Sequence, residues 1–135
     1  MVSRVDELKR VPLFNGLSQR QLKKLAADLG ERTFRPGTAI VQQGKMSGVD
    51  FFVIAEGDAS VSVDGKSIDR LGPGDYFGEL ALIGERARAA TVTAETPLRC
   101  LTMRSWDFRR FVTDNPDVSW KLLQHVVELL HPAQP

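Results

Sequence analysis

The chain has 135 residues, with 18 basic and 17 acidic side chains and a formal net charge of +1. This balance gives no long-range attraction to nucleic acid or to an acidic membrane, which argues against both as partners. The hydrophobic fraction of 42% predicts one globular domain that buries a core without disulfides or metal. No apolar run approaches the roughly 18 residues of a membrane span, and the start lacks the apolar core of a signal peptide. We therefore expect a cytoplasmic protein.

Residues 5–30 have helical periodicity, because apolar side chains recur at steps of three and four residues. Pro12 and Gly16 divide this region into two helices. Ser18 followed by Gln21 predicts a capping box at the start of the second helix. The sequence therefore predicts a helical entry over residues 1–30.

Residues 31–104 change to short segments separated by Gly, Pro and Asp. Six of these segments are predicted as strands: 38–42, 51–55, 59–63, 67–71, 91–94 and 98–103. Asp64-Gly65 predicts a two-residue hairpin turn, because Gly accepts a positive φ. The lone cysteine, Cys100, is predicted as a buried thiol within a strand. Many short strands at near-regular spacing predict a mainly β fold, either a sandwich or a small barrel.

Residues 105–131 return to helical sequence. Ser105 is predicted to cap a short helix, and Asn115-Pro116-Asp117 predicts the start of a last helix. The apolar face predicted for the last helix consists of Val118, Leu122, Leu123, Val126, Val127, Leu129 and Leu130.

The stretch 77–92 places a glycine, a carboxylate, a short apolar turn and an arginine between two predicted strands. Gly78 precedes a short helix predicted at 79–83, whose first N–H groups can bind an anion. The guanidinium of Arg88 can hold two phosphate oxygens at once. An ionised Glu79 only accepts hydrogen bonds and therefore fits a sugar hydroxyl. A Glu and an Arg alone at this spacing would usually be a surface ion pair worth under about 1 kcal/mol.

The whole string from Phe77 to Val92 closely resembles the phosphate-binding cassette of cyclic nucleotide-binding domains. The similarity extends over nearly the whole chain, through Pro36-Gly37, Gln43-Gly44 and the segments 51–57 and 72–79. It implies a single domain over 1–135, mainly β with flanking helices. Its fold would be an eight-stranded jelly-roll barrel between N-terminal helices and two C-terminal helices.

The resemblance also implies the roles of the site residues. Glu79 would bind the ribose 2′-hydroxyl and Arg88 the cyclic phosphate. Backbone groups near Gly78, Leu80, Ala81 and Ala89 would complete the cradle, and the small Ala81, Ala89 and Ala90 leave room for the ligand. In this family, Thr or Ser after the arginine favours cyclic GMP, so Ala89 predicts cyclic AMP, with cyclic GMP as an open alternative. Ala87 replaces a proline common in relatives, and Val49 replaces a common acidic residue.

The resemblance implies a sensor rather than an enzyme. The ligand would order the loop 78–89, so that Leu80, Leu82 and Ile83 repack against the C-terminal helices. The last helix would move over the base as a lid, with Leu122, Leu123 and Val126 as candidate lid residues. We recognise no helix-turn-helix, pore or kinase unit, so we expect an effector protein as partner, with a homodimer through the C-terminal helix left open. The Met1 start favours a stand-alone protein over a piece of a larger one.

Two other classes of function stay open. A metal-dependent cupin would use a similar barrel, but the two histidines, His125 and His131, are six residues apart and do not share a helix face. A degenerate member of the family could instead act as a nucleotide-independent interaction domain. The presence of both Glu79 and Arg88 argues against this alternative. We expect no metal and no cofactor.

Overall fold

Five α-helices and eight strands are found in residues 2–45, 50–84 and 88–130, which are those described by the computed structural model. The helices are α1 (Arg4–Lys9), α2 (Gln19–Asp28), α3 (Glu79–Gly84), α4 (Ser105–Asp114) and α5 (Pro116–Leu130), with a 3₁₀ turn at Pro12–Phe14. The strands are β1 (Gly30–Phe34), β2 (Ala39–Val41), β3 (Asp50–Glu56), β4 (Ala59–Val63), β5 (Lys66–Leu71), β6 (Tyr76–Phe77), β7 (Thr91–Ala94) and β8 (Leu98–Arg104).

The strands form two antiparallel four-stranded sheets. The first has the order β1-β8-β3-β6, and the second has the order β2-β7-β4-β5. The mainly β class with flanking helices is therefore confirmed. Among the described strands, the pairings do not join the two sheets into a closed barrel.

Strand β3 of the first sheet is buried on both faces, which explains its unbroken apolar run. Phe51 and Val53 of β3 pack in a helix-side cluster together with Leu8, Phe108 and Leu122 from the helices. The neighbouring positions of β3 pack in an inner cluster, which also contains residues of β7 and β8: Phe52, Ile54, Val92, Leu98 and Cys100. Because successive side chains of a strand point to opposite faces, one sheet serves both clusters.

The predicted turns and helix starts were mostly correct. Ser18 and Gln21 form the predicted capping box, with each side chain accepting a hydrogen bond from the other residue's backbone N–H. Asp64 and Gly65 both have positive φ, at 53° and 80°, in the turn between β4 and β5. The prediction that Ser105 caps α4 was wrong, because the helix already includes Ser105, and Arg104 is the N-cap residue without a side-chain bond. Burial raises the pKa of the Cys100 thiol to about 12, and the predicted buried thiol is confirmed.

All six predicted strands are present, but two further strands were missed. These are β1, which pairs with β8, and the two-residue β6, which pairs with β3. The predicted apolar face of α5 is only partly buried: Val118 and Leu122 are in the core, whereas Leu123, Val127 and Leu130 are exposed. Within the described residues, no helix has the length and apolar content needed to cross a membrane. The single-domain assignment over 1–135 stays a prediction.

Candidate functional site

The candidate site lies between β6 and β7, where the chain leaves the first sheet and enters the second. Phe77 pairs with Phe52 of β3 and fixes the end of β6. Gly78 follows, and α3 begins at the next residue as predicted. Position 87, position 49 and His131, singled out in the sequence, lie outside the described residues.

Gly78 adopts a backbone conformation that side chains rarely allow. Its φ is +96°, and a Cβ there would lie 2.9 Å from the main-chain oxygen of Asp50 and 3.0 Å from Nη1 of Arg88. Both the dihedral angle and the close approach require glycine. Gly78 therefore lets the chain pass close to Asp50 of β3 and to Arg88.

Arg88 is buried, with 5% of its surface exposed. Its guanidinium donates from Nη1 to the main-chain oxygen of Gly78 at 3.0 Å and from Nη2 to that of Asp50 at 3.2 Å. Its backbone N–H donates to the Lys45 oxygen, and its own oxygen accepts from the N–H of Gly44. Burial lowers the pKa of the Arg88 guanidinium, while the carboxylates of Asp50 and Glu79 act in the opposite direction. The guanidinium is thus held in place by the main-chain oxygens of Gly78 and Asp50.

Glu79 is equally buried, with 5% of its surface exposed. Its Oε1 lies 3.2 Å from Nε2 of His125, which projects from α5. Because an ionised carboxylate only accepts, Nε2 is the donor in this bond. The hydrogen bond to Glu79 raises the pKa of His125, and partial burial of the ring acts against it. A charged group of the cassette is thus bonded directly to the last helix.

His125 was not predicted as a site residue, although one signal was available. Val118, Leu122 and His125 are spaced by four and three residues, which places them on one face of a helix. Since Val118 and Leu122 are buried, this spacing turns His125 towards the sheets. The ring of Tyr76 packs beside it, with a centroid distance of 5.3 Å. Burial, followed by the charges of Glu79, Glu128 and Asp75, raises the pKa of Tyr76 above its usual range.

The other predicted site residues line the cassette with different exposure. Gly78, Ala81 and Ala90 are half-buried, whereas Leu80 and Ala89 are exposed. The structure therefore brings Gly78 and Arg88 into direct contact and leaves the edge of the cassette open at Ala89.

The repacking of α3 on ligand binding stays a prediction, but Leu82 already packs on the side of the C-terminal helices. That side chain packs against the helix-side cluster, which includes Phe108 and Leu122. Leu80 and Ile83 are exposed instead. Of the candidate lid residues, Leu122 is buried in the core, Leu123 is exposed and Val126 is half-buried.

A cleft of about 450 Å³ lies elsewhere, between α2 and α4. Its polar lining includes Lys24 and Asp28 from α2 and Arg110 and Asp114 from α4. Glu79 and Arg88 do not line it, so we do not assign the candidate site to this cleft. Within the described part of the chain, no group of three or more His, Cys, Asp or Glu side chains is placed to hold a metal ion.

The sequence of this chain is similar to a protein-family model and to curated proteins. A family model for the cyclic nucleotide-binding domain matches residues 31–115. A cAMP-dependent protein kinase regulatory subunit from Yarrowia lipolytica is 38% identical over 107 residues, which cover 78% of this chain and 28% of that protein. The chain thus spans little more than a quarter of the length of this curated relative.

Two solved structures are also similar. The regulatory domain of Toxoplasma gondii PKA, solved with cAMP, has a TM-score of 0.81 and 30% identity, covering 93% of this chain and 49% of that chain. The regulatory subunit of a cAMP-independent protein kinase A from Trypanosoma brucei has a TM-score of 0.81 and 26% identity, covering 90% of this chain and 43% of that chain.

Proposed function

Because this chain belongs to the cyclic nucleotide-binding domain family, as a regulatory module, we propose that its ligand is cyclic AMP and that Glu79 and Arg88 hold it. The observation that carries the proposal is the burial of these two opposite charges within one cassette next to the strained Gly78. Buried charges are costly unless each has a partner, and ionisable groups perturbed by burial are common at functional sites.

The cyclic phosphate would bind at Arg88. The guanidinium already donates to two main-chain oxygens, those of Gly78 and Asp50. These bonds orient the planar group, and a phosphate could take the place of one of them. Backbone N–H groups near Leu80, Ala81 and Ala89 would add neutral donors, as the family resemblance implies.

The ribose would bind at Glu79. A 2′-hydroxyl is a donor that an ionised carboxylate can accept, whereas a phosphate placed there would be repelled. Ala89, exposed at the edge of the cassette, has no hydroxyl to reach a guanine amino group. This absence favours cyclic AMP over cyclic GMP, and Ala90 beside it leaves room for the ligand.

Calorimetric titration with cyclic AMP, cyclic GMP and AMP tests the proposal. We expect roughly micromolar binding of cyclic AMP, since a ligand of this size contributes about 0.3 kcal/mol per heavy atom. Cyclic GMP should bind more weakly, and AMP, whose phosphate is not closed into a ring, should bind least. Equal affinity for the two cyclic nucleotides would remove Ala89 as the discriminating residue. The absence of binding by all three would reject the proposed ligand.

A second function has one observation in its favour. The similar Trypanosoma brucei structure is described as part of a cAMP-independent kinase, so this fold also occurs where cyclic AMP is not the signal. A nucleotide-independent interaction domain is therefore the alternative. It predicts that none of the nucleotides in the titration series changes the unfolding temperature of the protein.

We further propose that the module acts on an effector protein by moving its C-terminal helices. The exposed face of α5 supports a protein contact, because Trp120, Leu123, Val127 and Leu130 are spaced by three, four and three residues and are 56–70% exposed. This spacing resembles the seam of a coiled coil, so a homodimer through α5 is the alternative use of the same face. Sedimentation velocity of wild type and Leu123→Glu, each without an effector, distinguishes the two uses. Only a homodimer through α5 would make wild type dimeric and the variant monomeric.

We also propose a jelly-roll arrangement of the sheets, a non-catalytic role and a cytoplasmic location. The two four-stranded sheets share the inner cluster, which supports a jelly-roll arrangement of the two sheets. A non-catalytic role is supported by the relatives, which are named as regulatory subunits. The proposed cytoplasmic location fits a relative that is named as a protein kinase regulatory subunit.

A further inference from the structure

The contact between His125 and Glu79 joins the candidate site to the last helix. The two residues are 46 apart in sequence, and the distance between Nε2 and Oε1 is 3.2 Å. The side chain of Glu79 is 6% exposed, whereas that of His125 is 35% exposed. The carboxylate of Glu79 therefore accepts a hydrogen bond from a residue of α5. The hydroxyl of a ligand would have to approach this same carboxylate.

The opposite end of α5 is anchored to the N-terminal part of the chain. Nζ of Lys121 donates to the main-chain oxygen of Pro12 at 3.2 Å, and Nε2 of Gln21 donates to Oδ1 of Asn115 at 3.1 Å. The first turn of α5 also packs closely on Gly16, where an added Cβ would lie 2.8 Å from Oδ2 of Asp117. The first turns of α5 are thus fixed, and His125 lies one turn beyond Lys121, so its side chain can leave Glu79 while these anchors stay in place.

We propose that His125 competes with the ribose of the bound nucleotide for Glu79, so that α5 lowers the affinity of the site until this bond is broken. The inference rests on the proposed function, since it assumes that a ribose hydroxyl binds the carboxylate. A ligand favours the arrangement in which Glu79 is released only to the extent that it binds that arrangement more tightly. The free energy needed to break the bond between His125 and Glu79 therefore reduces the observed affinity for the ligand.

The competition depends on pH. The groups that face His125 are Glu79 on α3, Tyr76 on β6 and Glu128 on α5 itself, with the positive charge of Arg88 behind Glu79. The bond to Glu79 raises the pKa of His125 in the closed arrangement. Protonation therefore stabilises closure below about pH 6.5, and this stabilisation is lost as the pH rises through the raised pKa. The affinity for nucleotide should increase from about pH 6 to about pH 8.

Calorimetry of the full chain with cyclic AMP, at both pH values, tests this inference. His125→Ala removes the donor, and we expect it to bind cyclic AMP about tenfold more tightly than wild type near pH 6, the effect of one hydrogen bond to a charged group. His125→Gln keeps a neutral donor but cannot titrate, so it should lose the dependence on pH. Gln124→Ala is the matched control, because Gln124 is exposed on the same helix, and it should behave as wild type.

A second measurement follows the contact without nucleotide. The pKa of His125, obtained from the NMR shifts of its imidazole and assigned by comparison with His125→Gln, should be lower in Glu79→Gln than in wild type. An unchanged pKa would show that Glu79 does not hold the imidazole, and it would overturn the inference.

The two proposals fail in different ways. Unchanged or weaker binding in His125→Ala, with wild type still binding cyclic AMP, would overturn the competition alone. Weaker binding would mean that His125 supports Glu79 in the bound state. If wild type bound neither cyclic AMP nor cyclic GMP at either pH, both the proposed function and the competition would be rejected.

Discussion

At the scale of single residues, the site is built from two charges that are costly to bury. Each is stabilised by a different part of the chain: Arg88 by main-chain oxygens of Gly78 and Asp50, and Glu79 by His125. A buried charge that lost its hydrogen-bond partner without gaining another would be costly. Under the proposed function, the nucleotide would therefore replace these partners.

We expect Arg88→Lys to weaken the binding of cyclic AMP by about 2 kcal/mol or more, roughly thirtyfold in the dissociation constant. Lysine keeps the charge, but it loses the planar fork that holds two phosphate oxygens. Calorimetry measures the change. Circular dichroism must accompany it, because Arg88 also bonds two main-chain oxygens of the fold.

The matched control for this change is Arg109→Lys, on an arginine that is exposed on α4. It should leave the affinity within about twofold of wild type, since surface substitutions are usually small in effect. If Arg88→Lys bound cyclic AMP as tightly as Arg109→Lys, the phosphate would not be held by Arg88.

At the scale of secondary-structure elements, the predictable strands were those whose pattern of apolar and polar residues matches their burial. β4 and β7 have the predicted bounds, because they alternate small or polar residues with apolar ones. β1, with the sequence Gly-Glu-Arg-Thr-Phe, is almost fully exposed, so it has no apolar alternation to detect. Its strand conformation comes from pairing with β8 and not from its own composition.

The same distinction applies to the candidate site. Glu79, Arg88 and Gly78 could be singled out because the local string of residues around them is specific. The partners of the two charges could not, since Asp50 and His125 are 38 and 46 residues distant and meet the cassette only in the folded chain. The helix face of His125 was readable from its spacing to Leu122, but its contact with Glu79 depends on how α5 packs.

Gly78→Ala tests the backbone conformation on which α3 depends. We expect it to lower the free energy of unfolding by about 1–3 kcal/mol, the range for a residue forced into a sparsely populated conformation. Its φ of +96° is compounded by the approach of the new Cβ to Asp50 and Arg88. Urea denaturation measures the loss.

Gly37→Ala separates the two contributions to this loss. Its φ is similar, at +87°, but an added Cβ would meet nothing within 4 Å. It should therefore carry the dihedral cost alone and lose less stability than Gly78→Ala. Equal losses would mean that crowding at the cassette contributes nothing.

At the scale of the whole molecule, one arginine joins the N-terminal helix to the first sheet. Arg99 on β8 forms ion pairs with Glu7 of α1, Glu31 of β1 and Glu56 of β3. The bond to Glu7 raises the pKa of the Arg99 guanidinium, and the other two carboxylates add to the effect. Three elements far apart in sequence are therefore oriented by a single guanidinium.

We expect Arg99→Gln to lower the free energy of unfolding by about 2 kcal/mol, because it leaves the largely buried Glu7 without its cation. Arg70→Gln is the control, since its pair with Asp58 is 3.9 Å long and its side chain is 71% exposed. That change should cost less than about 1 kcal/mol. Urea denaturation of both variants measures the difference, and comparable losses would show that the cluster on β8 acts only as a surface pair.

Cyclic AMP should stabilise the domain, because a ligand that binds only the folded state raises the free energy of unfolding. At a concentration 100 times the dissociation constant, the gain is about 2.7 kcal/mol, which raises the unfolding midpoint by roughly 10 °C for a chain of this size. Differential scanning calorimetry with cyclic AMP, and with AMP as the open-chain control, measures the shift. Equal stabilisation by AMP would mean that the closed phosphate ring is not recognised. Equal stabilisation of Arg88→Leu by cyclic AMP would mean that the nucleotide binds away from Arg88.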